Sequence, residues 1–192
     1  ADAMTSHYLD IAILPNPEIA TPHILGALYD RLHRTLVQLR ADGIGSSFPA
    51  YKLQPRQLGD TLRLHATEVG LQELQAQNWL HPLRDHVRAS GIKPAPTDAA
   101  HRTVHRKQFK TNVERLRRRR MKRKGETAEE AARAIPDTAM KHPDLPYVHV
   151  RSLSTGQSFC IFIAMGALQV KPVGGRFNSY GLAEQGSTVP WF

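Results

Sequence analysis

Ten histidines and a single cysteine limit what chemistry this chain can carry. An imidazole titrates near neutrality and can move a proton in either direction, so each histidine is a candidate acid or base. Cys160 cannot form an internal disulfide and supplies no thiolate cluster for zinc. Within Phe159-Cys160-Ile161-Phe162-Ile163 it reads as a small buried apolar residue. No zinc helix with two histidines four apart is predicted, and no carboxylate group suits a two-metal nuclease. A nuclease written in this sequence would have to work without a metal. His33 stands between Tyr29 and Val37, at i−4 and i+4, beside a leucine stripe. Periodicity alone reads it as a packing residue at a helix edge.

The second chemical feature is charge. Twelve of the 26 lysines and arginines fall between His101 and Lys124, where Glu114 is the only acid. That stretch carries +11 and leaves the other 168 residues at −2, so the overall +9 describes a nearly neutral protein crossed by one basic element. Such a density of cations repels itself unless a polyanion neutralises it, and nucleic acid is the commonest polyanion. Thr111-Asn112-Val113-Glu114 has the form of a capping box and Gly125 that of a stop, which predicts a helix over 112–124 rather than a loose tag. Only Val113, Leu116 and Met121 are apolar along it, too few to insert into a membrane. Arg115, Arg118, Arg119 and Lys122 recur at i, i+3, i+4 and i+7 and share one side. Just upstream, Arg106 and Gln108 stand two apart in Val104-His105-Arg106-Lys107-Gln108-Phe109. On an extended segment both point the same way. Arginine pairs bidentately with guanine and glutamine with adenine, so the two suit adjacent purines, although the same spacing describes an ordinary exposed strand face.

Elements must hold these residues in place. Residues 7–14 alternate Leu9, Ile11 and Ile13 with Tyr8, Asp10 and Ala12, the pattern of a half-buried strand. Thr21-Pro22 supplies an N-cap and a first-turn proline to a helix running through Arg40, with Leu25, Leu28, Leu32, Leu36 and Leu39 as its apolar stripe. Residues 44–48 and 61–66 read as strands around a polar loop, and 68–80 continued by 81–88 as helix, kinked before Pro82. A weak strand at 90–93 completes the βαββαβ order of ferredoxin-like, RRM-like domains. Lys93-Pro94-Ala95-Pro96-Thr97-Asp98 marks a boundary that divides a domain of residues 1–98 from one of residues 99–192. After the basic helix, Thr127 with Glu130 opens a short helix ending before Pro136. Strands at 147–153 and 159–165 flank a polar turn containing Gly156. The terminal Val189-Pro190-Trp191-Phe192 is assigned to packing. The fold class is α+β: an N-terminal ferredoxin-like domain plus a C-terminal domain with an arginine-rich helix and antiparallel strands. No apolar run has the length of a membrane span and no leader precedes the first strand, so a soluble cytoplasmic protein is expected.

Several motifs now fall into a recognisable order. They are His7-Tyr8-Leu9-Asp10-Ile11; Leu32-His33; Asn112-Val113-Glu114-Arg115-Leu116-Arg117-Arg118-Arg119; Ile135-Pro136-Asp137-Thr138; Arg151-Ser152-Leu153-Ser154-Thr155-Gly156-Gln157; and Tyr180-Gly181-Leu182 through to Val189-Pro190-Trp191-Phe192. Together they resemble the CRISPR repeat-processing endoribonuclease of the type I-F (Ypest) system over nearly the whole chain from His7.

The resemblance implies an enzyme that cuts precursor CRISPR RNA once per repeat, on the 3′ side of a stem-loop. It then stays bound to its product. It implies that His33 activates the ribose 2′-hydroxyl, that Ser152 orients that ribose, and that Tyr180 is the aromatic beside the histidine. Ser154 and Thr155 would approach the scissile phosphate, Phe159 would stack on the terminal base pair, and Arg106 and Gln108 would read purines at the base of the stem. Arg115, Arg118, Arg119, Lys122 and Arg123 would contact phosphates from within a groove that A-form RNA normally closes to side chains, with easier access at the ends of a short hairpin. Arg120 and Lys124 fall where the family pattern varies. No cofactor and no metal are implied. The partners would be the CRISPR RNA repeat stem-loop and the other subunits of a CRISPR surveillance ribonucleoprotein complex, with the protein monomeric on its RNA and no membrane partner. The competing reading is a non-catalytic hairpin-binding subunit with the same basic helix.

Overall fold

The computed structural model describes residues 5–108, 113–136 and 143–192. The alternation of the first segment becomes β1 (His7–Ile13), which buries Leu9, Ile11 and Ile13. The leucine stripe becomes α1 (Thr21–Leu39), with Leu25, Leu28, Leu32 and Leu36 inside the core. Thr21 is not its cap. Ala20, in an extended conformation and with no side-chain bond, holds that place, while Thr21 is already helical and Pro22 occupies the first turn, where a missing N–H costs nothing.

β2 (Gly45–Ser47) follows, then a small hairpin of β3 (Lys52–Leu53) and β4 (Arg56–Gln57) inside the polar loop, and β5 (Thr61–Ala66). α2 (Glu68–Ala76) is capped by the Thr67 hydroxyl and stops earlier than its apolar pattern suggests. Asn78 adopts a left-handed φ of 51°, and Pro82 begins only a single 3-10 turn, His81–Leu83. The expected helical continuation to residue 88 is therefore incorrect. Val87 is buried and Arg88 exposed because the chain is extended there, as β6 (Val87–Ala89), with β7 (Lys93–Pro94) beyond it. The sheet runs β2-β5-β1-β6 with β7 also on β1, all antiparallel. With the small hairpin set aside, this is the strand order of a ferredoxin-like domain.

The remaining strands form two further sheets. β8 (Ala100–Arg102) pairs with β12 (Val189–Trp191), and β9 (Val104–Arg106), β10 (Tyr147–Arg151) and β11 (Ser158–Met165) form a sheet of order β10-β11-β9. β10 packs on α1 at close range: Gly26 lies so near the His149 carbonyl that no Cβ would fit. One apolar core runs from Leu9 and Leu32 through Val148 and Ile161 to Tyr180 and Leu182. The terminal segment packs as expected, since Val189 and Phe177 press on Gly45 of β2. Residues 1–106 with 145–192 make one compact unit and 107–144 a second. β8 and β9 fall in the first unit because they find their strand partners in the C-terminal third of the chain.

The second unit contains α3 (Val113–Lys124) and α4 (Ala128–Ala134). Thr127 and Glu130 form a complete capping box for α4, and Gly125, at φ +67°, ends α3 by bonding back to the Met121 carbonyl. The capping box expected at Thr111 lies outside the described residues. Among the described residues, no helix is long and apolar enough to cross a membrane.

Candidate active site and nucleic-acid interface

His33 leaves α1 half-buried, on the helix face that also carries the fully buried Tyr29 one turn earlier. Its imidazole stacks face to face on the Tyr180 ring, with centroids 4.2 Å apart and planes within 5°. Nδ1 of His33 is buried without a well-formed hydrogen bond. Burial lowers the pKa of this imidazole. The Ser179 backbone and Asp30 oppose that drop, and Arg34 adds to it. The ring is therefore neutral at neutral pH and ready to accept a proton. Tyr180 is itself shifted upward, by burial first and then by Asp30, with Arg106 pulling it down. Periodicity reads His33 as packing. The structure gives it a partner that no local pattern could reveal, because Tyr180 arrives from the other end of the chain.

Asp30 ties the next element to the same helix. Its carboxylate accepts the Arg151 N–H at the end of β10, at 3.0 and 3.3 Å, which anchors the Ser152 turn to α1 three residues before His33. Within that turn the Ser152 hydroxyl accepts from the Thr155 N–H at 3.3 Å and lies 3.2 Å from the Ser154 hydroxyl. The turn is closed by Ser152 N–H to the Gln157 carbonyl and Gly156 N–H to the Ser152 carbonyl, with Gly156 at φ +70°. Ser154 and Thr155 are exposed and Ser152 partly so. Phe159, on β11, lies under the Arg106 guanidinium of β9 at 5.5 Å. The structure thus pairs His33 with Tyr180 and Arg106 with Phe159, and Asp30 and Arg106 both act on Tyr180. No motif marks Asp30 or Tyr29, although Tyr29 at i−4 from His33 is a usable signal.

Gln108 lies exposed just past β9. On α3, Arg115, Arg118, Arg119, Lys122 and Arg123 are on the outward side, whereas Arg117 and Arg120 are committed within their own unit. Arg117 Nε donates to the Ile135 carbonyl at 2.9 Å, and Arg120 forms a two-pronged pair with Glu126, with contacts of 2.7 and 3.2 Å. Val113 is buried and Leu116 and Met121 partly so, which leaves the cationic side outward. Arg102, also within the basic stretch, is used structurally: its guanidinium caps the Gly166 carbonyl and lies 5.0 Å from the Trp191 ring. Among the described residues no group of three or more His, Cys, Asp or Glu side chains is arranged to ligate a metal ion. His101 and His105 do stand four apart, but on strands β8 and β9.

Residues 8–192 match the family described as CRISPR-associated protein (Cas_Csy4). The chain belongs to this family. Two of its relatives in the Cas_Csy4 family are proteins named CRISPR-associated endonuclease Cas6/Csy4. The one from Pseudomonas aeruginosa (strain UCBPP-PA14) is 45% identical over 186 residues, covering 97% of this chain and 99% of its own. The one from Escherichia coli (strain UTI89 / UPEC) is 40% identical, with the same coverage. The family likeness read from the motifs is therefore correct.

Proposed function

We propose that this protein is a metal-independent endoribonuclease that cuts precursor CRISPR RNA on the 3′ side of the repeat stem-loop and remains on the product hairpin. The observation that carries the reading is the His33 imidazole, its pKa lowered by burial, held flat against Tyr180 and next to the element that presents Ser152. His33 takes the proton from the ribose 2′-hydroxyl, whose oxygen attacks the adjacent phosphorus. The bond to the 5′-oxygen breaks and that oxygen takes up a proton from water, giving a 2′,3′-cyclic phosphate and a 5′-hydroxyl, while the His33 imidazolium returns its proton to solvent. Ser152 orients the ribose, Ser154 and Thr155 approach the phosphate, Phe159 stacks on the last base pair, and Arg106 and Gln108 read purines at the stem base. The protein acts in the cytoplasm, as one copy on each hairpin, alongside other subunits of a CRISPR ribonucleoprotein. The names of its relatives and the exposed cationic side of α3 support this assignment.

The test is end-group analysis of a repeat hairpin incubated with the protein in excess EDTA. A cyclic phosphate upstream and a 5′-hydroxyl downstream are expected. A 5′-phosphate, or cutting only after magnesium is added, overturns the mechanism.

Because Arg118 and Arg119 lie on the outward side of α3, neutralising both should weaken hairpin binding. It should also flatten the dependence of log affinity on log salt, by about 0.9 for each phosphate that is no longer neutralised. Titrations across a salt series read that slope. An unchanged slope removes these two residues from the interface.

A further inference from the structure

The turn that carries Tyr180 is held from below by two hydroxyls that the mechanism above does not use. Tyr29 is completely buried on α1, and its OH donates to the Tyr180 carbonyl at 2.7 Å. Ser46, equally buried on β2, donates its hydroxyl to the same carbonyl at 2.8 Å. The Ser46 N–H then reaches the Gly181 carbonyl at 2.7 Å. Gly181 stands at φ +72°, and a Cβ there would meet Ser46 at 2.8 Å, so the turn sits as close to β2 as a backbone can. From within the turn, Asn178 Oδ1 accepts the N–H groups of both Tyr180 and Leu182, at 2.9 and 3.0 Å.

We infer that Tyr29 and Ser46 are positioning residues, whose hydroxyls converge on the Tyr180 carbonyl and so fix the Tyr180 ring over His33 and the Ser179 backbone beside the imidazole. One hydrogen bond would satisfy that carbonyl, and two directed hydroxyls define its place. A ring stack alone slides easily, since offset arrangements differ little in energy. Tyr29 also sits one turn before His33 on the same helix, and its ring lies 5.3 Å from that of Tyr180. The helix that carries the base thus also grips the residue that covers it. The pairing sets which ring nitrogen of His33 faces the carbonyls of the turn and which faces outward, and only the outward nitrogen can serve a substrate. This inference rests on the catalytic role proposed for His33.

The experiment uses Tyr29→Phe, Ser46→Ala and the double variant, with two readouts. Single-turnover cleavage should fall on the order of 10²-fold in the double variant and less in each single one, where one hydroxyl remains. Hairpin affinity should stay unchanged in all three. In RNA-free protein, ring nitrogen shifts should show a changed tautomer ratio at His33, and contacts between the His33 and Tyr180 rings should weaken. A purely structural role for the two hydroxyls would lower the melting temperature without moving the His33 signals. Wild-type cleavage together with an unaltered His33 spectrum in a folded double variant overturns the inference. Should the double variant fail to fold, the same result in both single variants overturns it. If the unmodified protein leaves the hairpin uncut, the catalytic reading fails, and the spectra still decide the positioning role.

Discussion

A repeat hairpin carrying a single 2′-deoxyribose at the scissile nucleotide should bind this protein as tightly as the all-ribose hairpin and stay whole. The loss of cutting should be complete within the assay, the largest effect expected of any single change. In the proposed mechanism the RNA, not the protein, supplies the nucleophile. In that mechanism His33 forms no bond with phosphorus, and its role is to relieve the 2′-hydroxyl of a proton. Without that hydroxyl there is nothing to activate. Affinity should hold because the exposed cations of α3 would meet phosphates that the substitution leaves in place. Gel analysis of both hairpins, with parallel binding titrations, makes the comparison. Cutting of the deoxy hairpin would show that the nucleophile is water, and the role given to His33 would fall with it.

His33→Ala should slow single-turnover cleavage by roughly 10²- to 10⁴-fold, the usual worth of a positioned acid or base, with hairpin affinity nearly unchanged. The pH profile gives an independent sign. Burial keeps the His33 pKa below its ordinary 6.5, and the form that the proposed mechanism needs is the neutral ring. The rate should therefore be level around neutral pH and should fall on the acid side, through a midpoint below 6.5, as the ring takes up a proton. In His33→Ala that acid limb should vanish along with the rate. Full activity in the variant, or a limb that persists unchanged, assigns the proton transfer elsewhere.

The fold was legible wherever a side-chain period ran long enough to matter. Leu25, Leu28, Leu32 and Leu36 announce α1 because four residues on one stripe have no other use, and Leu62 and Leu64 do the same for β5. The strands β8 and β12 have three residues each, too few for any period. They exist because each finds the other across nearly half of the chain. The helix expected through residue 88 followed apolar spacing that Asn78 and Pro82 interrupt, and Val87 serves β1 instead. The cationic face of α3 was legible as charge, and its exposed side matches the spacing of Arg115, Arg118, Arg119 and Lys122. The His33–Tyr180 stack was not legible from periodicity alone. His33 looks like a packing histidine until Tyr180 is placed on it, and family likeness rather than spacing drew attention to it.

Arg63 covers the aromatic ring that β1 presents at Tyr8. Its guanidinium holds Asp10 at 2.7 and 3.0 Å, donates to the Phe192 carbonyl at 2.7 Å, and lies 4.1 Å from the Phe192 ring and 4.9 Å from that of Tyr8. In many RNA-binding modules of this topology, bare aromatic rings on the sheet are the platform on which bases stack. Here the guanidinium beside Tyr8 is already neutralised, and the ring has a tenant from the protein's own sequence. If the protein binds RNA as proposed, a base finds no bare Tyr8 ring to stack on, and recognition falls to other elements.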